Sequence, residues 1–188
     1  MSYGRPVDLS DSIPALRRGR MVKPSLSGYW IERDAPTGWR VVDRKELPGG
    51  RVDIVADPSG VRQRYHVLPW EHIVDNDSAE VLARAVDKVR SVPPASLGGG
   101  EAELRSHVRS LVRSLRPPVE IENDLLDAVM RNTLGLGVLD IILRDPRVED
   151  VYVDAPCQDT RVYLTLNRAG SGNLFGRCET NVIVSEKE

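Results

Sequence analysis

Aromatic residues are scarce in this 188-residue chain: one Phe, three Trp and five Tyr, or 5% of the total. A surface that stacks successive nucleic-acid bases needs more rings than that, interleaved with cations. Neither sign of charge is in excess, because 26 Lys and Arg stand against 28 Asp and Glu for a formal net charge of -2. An overall electrostatic grip on a phosphate backbone is therefore excluded, and no nucleic acid is expected as a partner. Only Cys157 and Cys178 carry thiols. That is too few for a disulfide framework, and His66, His72 and His107 share no metal-ligand spacing with them. Two reduced thiols are the expectation, with a bond across a hairpin as the alternative. No run of about 18 apolar residues occurs, and "MSYGRPVDLSDSIPALRRGR" has no apolar signal core, so neither a membrane span nor secretion is expected. The expected compartment is the cytosol.

What is present reads as an α+β chain in three stretches. Residues 1–28 carry Arg5, Arg17, Arg18, Arg20 and Lys23 against Asp8 and Asp11 with no sustained apolar period, and read as a flexible or docked arm. Residues 29–134 begin with short runs rich in Val, Ile and aromatics. The clearest is "RVDIVADPSGVRQRYHVL", where Val52, Ile54 and Ala56 alternate, Asp57-Pro58-Ser59-Gly60 turns, and Val61, Tyr65 and Val67 resume the period of two. This predicts a hairpin with one packed and one polar face. The period then lengthens to that of helices. Val81 or Leu82, with Ala85, Val86 and Val89, marks one helix, Leu104, Val108, Leu111, Val112 and Leu115 a second, and Ile121, Leu125, Val129 and Met130 a third. Short links make these a small bundle or a helical layer on the sheet. Residues 135–188 read as the start of a mixed α/β unit.

The second helix spaces Arg105, Arg109, Arg113 and Arg116 by four, four and three, which puts the guanidinium groups on one face. Such a face fits a partner's carboxylates through bidentate pairing, or it is simply solvated.

"GLGVLDIILRDPRVEDVYVD", Gly135 to Asp154, poses the sharper question of chemistry or packing. A phosphate loop needs a lysine and a hydroxyl after its glycines, and no Gly-Lys pair occurs in the chain. Gly135 and Gly137 instead read as a helix stop and a close turn before a short helix from Val138 to Leu143. Asp145-Pro146 ends that helix. A strand follows, with Val151 and Val153 directed to a core. Asp145 in a turn, and Asp150 and Asp154 bracketing the strand, occupy positions where carboxylates cap or face water. With Asp140 and Glu149 they lack the nucleophile, histidine or metal helix that would complete an active site.

The run Gly135, Gly137, Leu139, Ile142, Asp145, Pro146, Val148, Glu149, Asp150 and Val151, followed by Val162-Tyr163-Leu164 and Thr180-Asn181-Val182-Ile183, resembles the N-terminal region of type II/type IV secretion ATPases, the GspE-like family. The likeness is to the archaeal pilus and archaellum motor branch. It is specific over Leu134 to Val184 and loose over Tyr29 to Glu71, where "YHVLPWE" matches only in part and Leu68 replaces an acidic residue.

The resemblance implies a non-catalytic oligomerisation and coupling domain of a hexameric secretion or pilus-assembly ATPase. It also implies that a RecA-like domain, absent from this chain, binds ATP and Mg2+. The implied partners are that domain, neighbouring subunits and a membrane platform protein, reached from the cytoplasmic side of the membrane without insertion. A free-standing protein-binding adaptor is the alternative. In either case the chain itself is expected to have no catalytic residues and no cofactor.

Overall fold

The computed structural model describes residues 21–22, 29–92, 100–154, 160–167 and 176–184. The fold is α+β, as the two periodicities predict. Its strands are β1 (Met21–Val22), β2 (Tyr29–Glu32), β3 (Arg40–Leu47), β4 (Gly50–Ala56), β5 (Gln63–Pro69), β6 (Val148–Val153), β7 (Arg161–Leu166) and β8 (Gly176–Val184). Its helices are α1 (Asn76–Arg90), α2 (Glu101–Ser114), α3 (Glu122–Thr133) and α4 (Val138–Leu143), with single 3-10 turns at Trp70–His72 and Val119–Ile121. No helix among the described residues is long and apolar enough to cross a membrane. Of the arm, Met21 pairs with Glu32 and Val22 with Ile31 on β2, and residues 1–20 and 23–28 lie outside the described residues.

All the strands join one eight-stranded sheet with β8 at its centre. One edge of β8 runs antiparallel to β7, and the other meets β5 in parallel at Glu179 and Thr180, then β2 antiparallel from Val182 to Val184. Strands β1 to β8 therefore build a single layer, and the structural division among the described residues falls between this sheet with α4 and the helices α1 to α3. Thr180 and Asn181 sit where β8 changes neighbours, both fully buried. The Thr180 hydroxyl donates to the Val162 carbonyl at 2.7 Å and accepts from Val182 N–H at 3.1 Å, filling the register shift between β7 and β8. The Asn181 amide accepts from Val67 N–H at 2.9 Å and donates to the carbonyls of Val67 and Glu32 at 2.8 and 3.0 Å. A side chain thus supplies the ladder bonds missing where β5 ends and β2 begins.

One face of the sheet packs Ile31, Val52, Ile54, Tyr65, Val67, Leu164 and Val182 against Val138, Ile141 and Ile142 of α4. Helices α1 to α3 form a second core from Leu82, Val86, Val89, Val108, Val112, Leu125, Leu126 and Val129. The three apolar stripes find each other and close a core of their own. The Asp75 carboxylate caps α1 by accepting from Ser78 N–H at 2.8 Å.

Three local expectations are corrected. The β4–β5 hairpin is buried on both faces, because Asp53, Arg64 and His66 on the polar side are also covered. Val61 belongs to the turn and is exposed; there the Asp57 carboxylate accepts from Val61 N–H at 3.0 Å and from the Ser59 hydroxyl. Val153 is 41% exposed, because β6 is an outer strand, while Val151 packs on the core as expected.

Candidate functional site

The stretch from Gly135 to Asp154 folds as a seam between helices and sheet. α3 ends with Leu134 and Gly135 N–H groups both directed at the Met130 carbonyl, and Gly137 N–H donates to the Arg131 carbonyl at 3.0 Å. The Asp140 carboxylate closes the turn by accepting from Leu136 N–H at 3.0 Å. A side chain on Gly135 would collide with that carboxylate. Gly137 has φ +63° with the Tyr29 ring over it, so both its dihedral and its surroundings select glycine. α4 then lays Ile141 and Ile142 on the sheet, with Leu139 half-buried beside them.

Asp145 follows, and of the two roles expected for it the structure keeps the backbone cap, through Arg147 N–H, and overturns exposure to water. Asp145 is 2% exposed. Its carboxylate accepts from the Tyr65 hydroxyl at 3.0 Å, from Arg147 N–H at 3.0 Å and from the Arg147 guanidinium at 2.6 to 3.1 Å. Lys45 lies 3.7 Å away. Arg147, itself buried, also pairs with Asp43. Burial alone would raise the Asp145 carboxyl, but the hydrogen bonds and charge of Arg147, with the Tyr65 hydroxyl, hold it below the ordinary Asp range. The same burial, with Asp145 beside it, pushes the Tyr65 phenol up. Asp145 stays ionised with its lone pairs committed, so it is a fastener and not a proton donor. Pro146 beside it is exposed, and its carbonyl accepts from the Asn167 amide at 2.7 Å.

Glu149, Asp150 and Asp154 are exposed along β6. Asp154 pairs with Arg177 at 3.1 Å, and the Arg177 guanidinium also lies over the rings of Tyr152 and Tyr163. No group of three or more His, Cys, Asp or Glu among the described residues has the arrangement to hold a metal ion. Cys178 is a buried free thiol, raised by desolvation, and Cys157 lies outside the described residues.

Of the four arginines expected on one helix, Arg105, Arg109 and Arg113 lie on α2, whereas Arg116 falls beyond its end at Ser114. Arg105 pairs with Asp127, and the Arg113 Nε donates to Glu122 at 2.8 Å, so both fasten α2 to α3 within the chain. Arg109 and Arg116 make no ion pair among the described residues, and Arg116 is exposed with φ +54°. The outward part of the face is thus narrower than its spacing suggests.

Sequence reasoning missed a ring of four charges on the other face of the sheet. Arg64 bonds Glu32 at 2.8 Å and Glu179 at 3.1 Å, while Arg161 bonds the same two carboxylates at 3.0 and 2.7 Å. It links β2, β5, β7 and β8 with no net charge, and Trp39 covers Arg64. No local signal marks it, because the four residues meet only through the pairing of distant strands; Tyr65 and Asp43 were missed for the same reason. Arg147 alone had a cue, standing two residues after Asp145. Set against protein-family models and curated proteins, the sequence matches none of them.

Proposed function

We propose that the chain is a non-catalytic oligomerisation and coupling domain of a hexameric secretion or pilus/archaellum-assembly ATPase. The observation carrying this reading is the fastening of the Asp145-Pro146-Arg147 turn to Tyr65 and Asp43, at the centre of the run that resembles that family. A turn bonded in this way transmits force as part of a rigid body, which suits mechanical coupling and not chemistry. The carboxylates of the run are either bonded within the fold, as Asp145 and Asp140 are, or spread along an exposed outer strand. Arg109 and Arg116 are the side chains offered to a partner subunit's carboxylates. ATP and Mg2+ belong to a RecA-like domain beyond this chain, and the assembled protein works on the cytoplasmic side of a membrane against a platform protein.

The test is the reading frame that encodes the chain, followed past the codon for Glu188. A Gly-Lys-Thr or Gly-Lys-Ser phosphate loop in frame supports the coupling domain. A stop codon there overturns it in favour of a free-standing adaptor. In both cases titration of the chain with Mg-ATP is expected to show no binding at micromolar concentration.

A further inference from the structure

The helical bundle is an insertion. The chain leaves the sheet after Pro69, builds α1 to α3, and returns to the sheet at α4, so it crosses between the two bodies twice, at residues 70–75 and 134–137. The two apolar cores have no residue in common. What ties the crossings together is polar. Glu71, on the outgoing crossing, accepts from the Arg131 guanidinium at 2.5 Å and from the Asn132 amide at 2.9 Å, and these two residues end the helix that leads into the return crossing. Both members of the ion pair are buried, and Arg131 also packs over Gly49 at the tip of the β3–β4 turn.

We infer that α1–α3 form a hinged module whose posture on the sheet is set by the Glu71–Arg131–Asn132 clamp. Apolar burial does not fix that posture. Ile73 on one crossing and Leu134 and Leu136 on the other are exposed at 49%, 44% and 55%, while Trp70 packs on the helical core and not on the core of the sheet. The clamp is also incompletely bonded, since Arg131 Nε and His72 Nδ1 are buried beside it without partners. Two adjacent chain crossings, glycines at 135 and 137, and one buried ion pair between the crossings, beside a few backbone bonds such as Trp70 N–H to the Gly49 carbonyl and Gly137 N–H to the Arg131 carbonyl, are the parts of a hinge. Releasing Glu71 from Arg131 frees rotation about the crossings while each core stays closed. This holds whether or not the chain serves a secretion ATPase.

Hydrogen exchange read by mass spectrometry tests it on the 188-residue chain and on Glu71→Gln and Asn132→Ala; the second removes only the amide bonds and guards against loss of folding in the first. Exchange at residues 70–75 and 134–137 is expected to accelerate about tenfold or more in Glu71→Gln, and less in Asn132→Ala, with protection of β4, β5 and the interior of α1–α3 unchanged. X-ray scattering should show a broader distribution of distances in the same variants. Unchanged exchange at both crossings in both variants overturns the inference. So does a loss of protection spread evenly through the two cores, because that result means the chain opens as one body.

Discussion

Replacing Asp145 by Asn should cost more stability than any other carboxylate change in the Gly135–Asp154 run. The substitution keeps the shape of the side chain and removes its charge. One amide oxygen remains to accept from Arg147 N–H, but the other acceptor becomes an NH2 group facing the guanidinium, and the Tyr65 hydroxyl loses its anionic partner. Breaking a buried pair from one side typically costs about 3 to 5 kcal/mol, because the surviving charge stays buried and uncompensated. Asp43 continues to pair with Arg147 and is itself 39% exposed, which relieves part of that loss. The expected destabilisation is about 2 to 4 kcal/mol. Asp154→Asn is the control: its pair with Arg177 is more than half exposed on both sides, and such pairs contribute about 0 to 1 kcal/mol. Urea melts of the two variants against the parent chain measure the difference. A loss below about 1 kcal/mol for Asp145→Asn, or a loss equal to that of Asp154→Asn, would refute the account of Asp145 as a fastener.

His72 should make the chain acid-sensitive in a defined window. Burial, helped by Arg33 and Arg131 and opposed by Glu71, lowers its pKa from the ordinary 6.5 to about 4. The unfolded chain therefore takes up a proton that the folded chain refuses, so the contribution is complete above pH 6.5 and is lost as the pH falls from there to about 4. The loss is at most about 3 kcal/mol. His66, also lowered chiefly by burial, acts in the same direction. Urea melts across this range should show a shallower pH dependence in His72→Leu, and parallel profiles would discredit the assignment. Asn181→Ala should cost about 2 to 4 kcal/mol in the same assay, since it leaves Val67 N–H and two carbonyls without partners in a dry position; a cost near zero would mean that β2 and β5 close without it. Gly137→Ala should lower the melting temperature by several degrees, because alanine meets both a positive φ and the Tyr29 ring, whereas Gly60→Ala has the φ penalty and open space; equal shifts would remove the role given to the ring.

The helices were legible because their signal is local. Each apolar stripe repeats within one turn of itself, so Leu82, Val86 and Val89, or Val108 and Val112, point to one side whatever lies opposite. The short helix at Val138 and its stop at Asp145-Pro146 were legible for the same reason, since proline acts on its nearest neighbour. Strands are harder, because the pattern of a strand depends on what covers each face. β4 and β5 show a polar alternate face that is nonetheless buried. Asp53, Arg64 and His66 are covered there because Arg44 and Arg51 pair with the aspartate while Glu32, Glu179 and Trp39 meet Arg64. Nothing in "RVDIVADPSGVRQRYHVL" states that an earlier strand and one more than a hundred residues later will supply the acids that meet Arg64.

The same distance explains which members of the Gly135–Asp154 run were understood from the sequence. Gly137 was, because a required dihedral is a property of the residue itself. Asp145 was not, because a carboxylate before proline looks alike whether it faces water or a buried arginine. Its partner Arg147 is two residues away, but the meaning of that pair comes from Tyr65 and Asp43 on strands the turn reaches only after folding. The arginines of α2 illustrate the converse. Their spacing predicted one face for four arginines, yet α2 ends at Ser114 before Arg116, and two of the remaining three are spent on Asp127 and Glu122 of α3, acids whose own spacing of five carries no sign that they will meet α2. Periodicity therefore reports which side of an element a residue occupies, and only the packing of elements decides whether a charge on that side is a surface or a fastening.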